Sequence, residues 1–152
     1  MELVHEFTMR ATVDPPLQSG PGPKGIRAIF AVKGGEVEGD RINGKVLPIG
    51  ADWALIEPTG DWAHVDVRIT IETDDGAIIH GEYLGHLEIN EKVGAAMTGQ
   101  SGTEFGDQYF FTGPRLETGD ERYAWVNRTQ FVAQGRINEN MQVEYQVHRL
   151  AN

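Results

Sequence analysis

The sequence predicts an all-β fold, a small closed antiparallel β-barrel with at most one short helix, and three observations carry that expectation. Nineteen glycines and seven prolines cut the 152 residues into pieces too short for most helices. Between the cuts, β-branched and aromatic residues alternate with polar ones, the pattern of half-buried strands. The segment Thr73-Asp74-Asp75-Gly76 then joins two long alternating runs through an Asp-Gly turn, the strongest hairpin signal in the chain. Short connections throughout favour an up-and-down barrel, because closure removes exposed edges. A two-sheet sandwich is the alternative.

Taken in order, strands are expected at 6–13, 26–33, 41–47 and 53–57, then at 64–73 and 77–89 on either side of the Asp-Gly turn. Residues 14–25, DPPLQSGPGPKG, read as a loop or lid. Asn90 to Thr98 is the one window where a short helix is plausible, ended by Gly99. Strands at 107–112, 123–137 and 142–150 complete the set, with turns at Gly119-Asp120 and Asn138-Glu139-Asn140. A single domain over residues 1–152 suits this length.

A formal net charge of −10 argues against nucleic acid and anionic membranes as partners, since the basic residues are scattered singly. Without cysteine there is neither a disulfide framework nor a thiolate metal site nor a Cys nucleophile. The N-terminal segment lacks a basic region followed by an apolar run, and a cytoplasmic location is expected. No phosphate loop, dinucleotide fingerprint or nucleophile elbow is present, so no cofactor is expected. His80 and His86 share a strand face with Glu82 and Glu88, which fits either a metal site or, more simply, a solvated face.

Four stretches hold polar residues where a barrel can bury them. Asp66, Arg68, Thr70 and Glu72 share one strand face, either a solvated face with a weak ion pair or a lumen face on which Arg68 meets an anionic ligand group. Asp52, beside Trp53, either caps a turn or is a carboxylate in an apolar pocket, where burial raises its pKa into the range of a general acid or base. Tyr109, Phe110 and Phe111, followed by Arg115 and Glu117, form an aromatic run ending in charge, read as pocket wall or as core followed by a surface ion pair. In YAWVNRTQF, residues 123–131, the alternating set Tyr123, Trp125, Asn127 is read as facing inward.

Gly50-Ala51-Asp52-Trp53, Thr73-Asp74-Asp75-Gly76-Ala77, Tyr109 to Gly119 (YFFTGPRLETG) and Tyr123 to Arg128 (YAWVNR), together with Gly34 to Gly39, resemble domain-of-unknown-function family 3237, also called uncharacterised protein family 0311. The resemblance covers nearly the whole chain. It implies a small closed barrel similar in outline to the allene oxide cyclase and dirigent barrels, commonly self-associated, hence a homodimer or other homo-oligomer. The family's recurrent polar and aromatic positions match Asp52, Trp53, Asp66, Arg68, Arg115, Glu117, Trp125 and Asn127. The strand after the Asp-Gly turn, His80-Gly81-Glu82-Tyr83-Leu84-Gly85, departs from many relatives.

The expected function is a cofactor-independent isomerase, cyclase or lyase acting on a small apolar carbonyl or phenolic metabolite in the barrel lumen. Asp52 is its acid or base, Arg68 and Asn127 stabilise negative charge on oxygen, and Trp53, Tyr109, Phe111, Arg115 and Trp125 hold the ligand. The competing expectation is a carrier that binds such a molecule without reacting.

Overall fold

The computed structural model describes residues 1–152. In chain order the strands are β1 (Glu2–Val13), β2 (Leu17–Gly22), β3 (Gly25–Gly39), β4 (Gly44–Val46), β5 (Ala51–Ile56), β6 (Trp62–Thr73) and β7 (Ile78–Glu88). Helix α1 (Glu91–Met97) follows, then β8 (Phe110–Thr112), β9 (Arg115–Glu117), a 3-10 helix (Glu121–Arg128), β10 (Phe131–Ile137) and β11 (Val143–Ala151). Eight of the strands close a barrel in the order β1-β3-β5-β6-β7-β8-β10-β11, with β11 pairing back onto β1. Every pairing is antiparallel, and closure excludes the sandwich.

The alternation that predicts the strands also sorts their faces. Along β6, Ala63, Val65, Val67, Ile69 and Ile71 are buried, while His64, Asp66 and Arg68 are exposed. The β6–β7 hairpin turns at Gly76, whose φ of 91° is open to glycine without a steric cost. Extra strands reinforce the wall: β4 pairs with both β3 and β6, and β9 extends alongside β7. At the bend in β3, Gly35 passes so close to β1 that a Cβ would overlap the Arg10 carbonyl oxygen.

One end of the barrel is plugged. Phe7, Val37, Ile42, Val46, Ile71, Ile79, Val126 and Phe131 pack there with almost no exposure. At the other end α1 lies over the rim, with Val93 and Ala96 packed against Ile137. Asn90 caps this helix by accepting from the Val93 amide at 3.0 Å.

Three expectations are corrected. The segment 14–25 is not wholly loop, because β2 forms a hairpin with β3. Residues 123–128 are not the start of a strand, so the fold contains two short helices rather than one. Asp120 caps the second helix through the Arg122 amide at 2.9 Å, Glu121 and Arg128 complement its dipole, and Tyr123 and Val126 bury at the three-residue period of a 3-10 turn. The alternation of Tyr123, Trp125 and Asn127 therefore has no structural meaning, and it does not build a lumen face.

Candidate functional site

Between the plug and the α1 rim lies a cavity of about 360 Å³ lined by 23 residues, 19 of them hydrophobic. Its aliphatic wall comes from the inward faces of β3, β5 and β6, including Val32, Ala54, Ile56, Val65, Val67 and Ile69. Asp14-Pro15-Pro16 and the exposed Met97 and Met141 also line it, where it meets the surface. No Lys, Arg or His lines it. The polar groups inside are few: Asp52, Tyr83 and Tyr145, with Asp14 where the cavity meets the surface.

Asp52 enters the lumen at a gap in the β5–β6 ladder. Pairing runs through Ala51↔Arg68 and Asp52↔Val67 and resumes only at Leu55↔His64. Across the gap the Asp66 amide donates to Asp52 Oδ1 at 3.0 Å, so the carboxylate replaces a backbone acceptor. Burial among apolar walls raises the carboxyl from 3.8 to about 6, with the nearby Asp66 charge adding to the rise. The Asp66 amide and, at longer range, Arg27 oppose it without cancelling it. A carboxyl poised near neutrality can both take and return a proton.

The same level of the barrel carries two phenols. Asp52 pairs across to Val67, and Val67 pairs to Tyr83, so the three side chains form one inward row over β5, β6 and β7. Tyr145 on β11 meets the Tyr83 ring edge-to-face at 5.3 Å between centroids, and Phe110 packs on Tyr145 at the same spacing. These three rings separate the open half of the lumen from the packed half. Gly135 makes room for them, since a Cβ there would lie 2.7 Å from the Phe110 ring. Burial first, and then the Asp52 charge, raise the Tyr83 hydroxyl; for Tyr145 the same burial is joined by Tyr83 and Asp52. Both phenols therefore keep their protons across the whole neutral range.

Of the residues singled out in the sequence, Asp52 and Phe110 line the lumen. Arg68 is exposed on the outer face of β6, because Val67 and Ile69 take the inward positions on either side. Trp53 and Phe111 point outward for the same reason, next to the inward Asp52 and Phe110. Tyr109 is also outside, packed edge-on against Trp62 at 5.9 Å. Trp125 lies beneath Arg41 at 3.6 Å, and Arg41 in turn pairs with the buried Glu6. Asn127 accepts from the Thr118 amide and donates to its carbonyl, which ties the 3-10 helix to the end of β9.

Arg115 and Asn127 come together elsewhere, with His80, Glu82, Glu117 and Arg128, in a groove of about 610 Å³ on the outer surface. The groove is larger than the lumen cavity, but most of its charged side chains are solvated, so a ligand there competes with water at every contact. His86 lies away from it, edge-on to His64 at 5.1 Å, and no three His, Asp or Glu side chains converge as metal ligands.

Tyr83 and Tyr145 were not singled out by the sequence reading. A signal for them exists: each is the one polar-tipped residue on an otherwise apolar alternating face, Ile79-Gly81-Tyr83 and Val143-Tyr145-Val147.

The comparisons agree with this architecture. A UPF0311 protein of Rhodopseudomonas palustris strain TIE-1 is 33% identical over 138 residues, covering 87% of this chain and 86% of the relative. The crystal structure of a conserved protein of unknown function from Rhodopseudomonas palustris matches with a TM-score of 0.87 at 32% identity, over 99% of this chain and 97% of that one. A beta-barrel like protein from Acinetobacter baumannii matches with a TM-score of 0.81 at 26% identity, over 99% and 96%. The sequence also matches the family described as protein of unknown function (DUF3237) across residues 1–150. The chain thus belongs to the DUF3237 family, whose UPF0311 relatives share its barrel over almost their whole length.

Proposed function

We propose that the chain is a cofactor-independent acid–base enzyme that isomerises, cyclises or cleaves a small, largely apolar carbonyl or phenolic molecule within the barrel. The observation that carries this reading is the Asp52 carboxyl, raised to about 6 in an apolar-lined cavity of about 360 Å³. A carboxylate that served only the fold would be better solvated or paired with a cation, and Asp52 has neither an ion-pair partner nor an arginine in reach of direct contact. Its role is to remove a proton from the bound molecule and return it at a different atom.

The apolar lining also suits a carrier, which would hold the same molecule without reacting. The two readings separate at Asp52→Asn, which keeps the Oδ1 acceptor for the Asp66 amide but cannot exchange a proton at neutral pH. The experiment screens neutral phenols, enones and ketones by thermal shift, then follows each stabilising compound for conversion by chromatography. For the enzyme, compounds that stabilise the native chain are converted, and Asp52→Asn still binds them while conversion falls at least about a hundredfold. Binding with no conversion by the native chain leaves the carrier. The absence of any stabilising compound removes both.

A further inference from the structure

We infer that Tyr83 and Tyr145 form the oxyanion-receiving half of the lumen site, donating hydrogen bonds to the oxygen of an uncharged substrate as Asp52 takes its proton. The inference rests on the acid–base reading of Asp52 and adds to it the group that receives the charge and the class of molecule admitted.

Charge conservation inside the cavity drives the argument. When the Asp52 carboxylate accepts a proton from a C–H beside a carbonyl, or from a phenolic O–H, the C–H or O–H electron pair stays with the substrate. That pair ends on the carbonyl or phenolic oxygen, which becomes an enolate or phenolate. One negative charge has moved from Asp52 to the substrate oxygen, and the cavity's total is unchanged. Nothing cationic lines the lumen to receive that charge. The lining groups able to meet it are the two phenols, which stand in the same row and floor as Asp52.

Their arrangement suits the task. A pair of phenols holds two O–H protons and can spend only one of them between its own members, so at least one remains for a ligand oxygen. The rings are fixed by edge-to-face packing with each other and with Phe110, which preorganises the hydroxyls before the charge develops. Burial keeps both protonated, so they act as donors and not as competing anions. A carboxylic acid or phosphate on the substrate would place a second negative charge in a cavity with no cation, and it is excluded on that ground. The substrate is therefore an uncharged enolisable carbonyl compound or phenol.

The test uses the full chain carrying Asp52→Asn, which imitates the protonated carboxyl, with nitrophenols of graded acidity as probes. Visible absorbance separates bound phenolate from bound phenol. The expected result is that Asp52→Asn binds the probe as phenolate at a pH where it is neutral in solution, at least about tenfold more tightly than the native chain. Adding Tyr83→Phe or Tyr145→Phe, each of which keeps its ring, weakens phenolate binding at least about tenfold in one or both cases. A second background, Asp52→Leu, removes the Asn side-chain donor but frees the Asp66 amide, so it tests the phenols only in combination with a Tyr→Phe change. Where a Tyr→Phe chain does not fold, fluorotyrosine at 83 or 145 keeps the ring and strengthens the hydroxyl as a donor; tighter phenolate binding is then expected, and unchanged binding at both positions overturns the donor role. A probe held only in its neutral form, or phenolate affinity untouched by both Tyr→Phe changes, overturns the donor role and leaves the acid–base reading of Asp52 standing. Failure of every form of the protein to bind any probe overturns both.

Discussion

Replacing Asp52 by Asn should make the protein more stable at neutral pH, and the size of the gain follows from the site. The native carboxyl titrates at about 6 where an ordinary one titrates at 3.8. A raised carboxyl binds its proton more tightly in the folded chain than in the unfolded one, so ionising it costs the folded state. The cost is absent below pH 3.8, grows through the interval up to about 6 and is complete above it. At about 1.4 kcal/mol per pH unit, the full cost is about 3 kcal/mol. Asn keeps the acceptor for the Asp66 amide and carries no charge, so the variant escapes this cost. Urea unfolding of both chains at steps from about pH 4 to about pH 8 measures it as a difference, in which the other carboxylates cancel. The advantage of Asp52→Asn should be smallest at the acid end and level off near 3 kcal/mol, roughly 6–12 °C in Tm for a domain of this size. A difference that does not vary with pH, or that favours Asp above pH 6, would refute the buried-carboxylate argument.

Other consequences of the structure can be measured separately. For any compound the native chain converts, kcat/KM should rise about tenfold per pH unit below about 6 and flatten above it, because the base must be ionised; a profile that falls over this range assigns the proton transfer elsewhere. Gly135→Ala should push the Phe110 ring toward the lumen, costing about 1–3 kcal/mol in urea unfolding and weakening ligand binding together. Phe131→Ala removes a fully buried ring from the plugged end and should cost about 3–5 kcal/mol, while calorimetric binding of a lumen ligand by the folded fraction stays intact. Glu6→Gln leaves Arg41 and Arg149 without their shared carboxylate and should cost about 2 kcal/mol, with altered tryptophan fluorescence as Arg41 loosens from Trp125.

These tests bear on a site assembled from residues that are distant in sequence. The barrel itself was largely legible in the chain. Alternation in Ala63 to Ile71, the Asp-Asp-Gly turn and the absence of long helical windows each follow from local stereochemistry, which a sequence displays directly. Helix α1 was legible too, as the one window, 90–98, where a short helix is plausible, with Gly99 at its end. The segment 123–128 was not, because its aromatic residues match a strand by composition while Asp120 and the three-residue burial period favour a 3-10 turn.

At the site, the sequence by itself determined an alternation that lets only one of Asp52 and Trp53 face inward, although both were expected at the ligand. Period-two geometry forbids Asp52 and Trp53 from lining the lumen together, and it likewise sets Phe110 against Tyr109 and Phe111. Which member of each pair turns inward was decided only by tertiary structure, through the closure of β11 onto β1 and the register that carries Asp52 through Val67 to Tyr83. Closure also brought Tyr145 against Tyr83 across 62 positions of sequence and left Arg68 in water. The physical reason is that alternation fixes which side chains share a face, whereas only the closed ladder says which face is the inside and which faces meet across it.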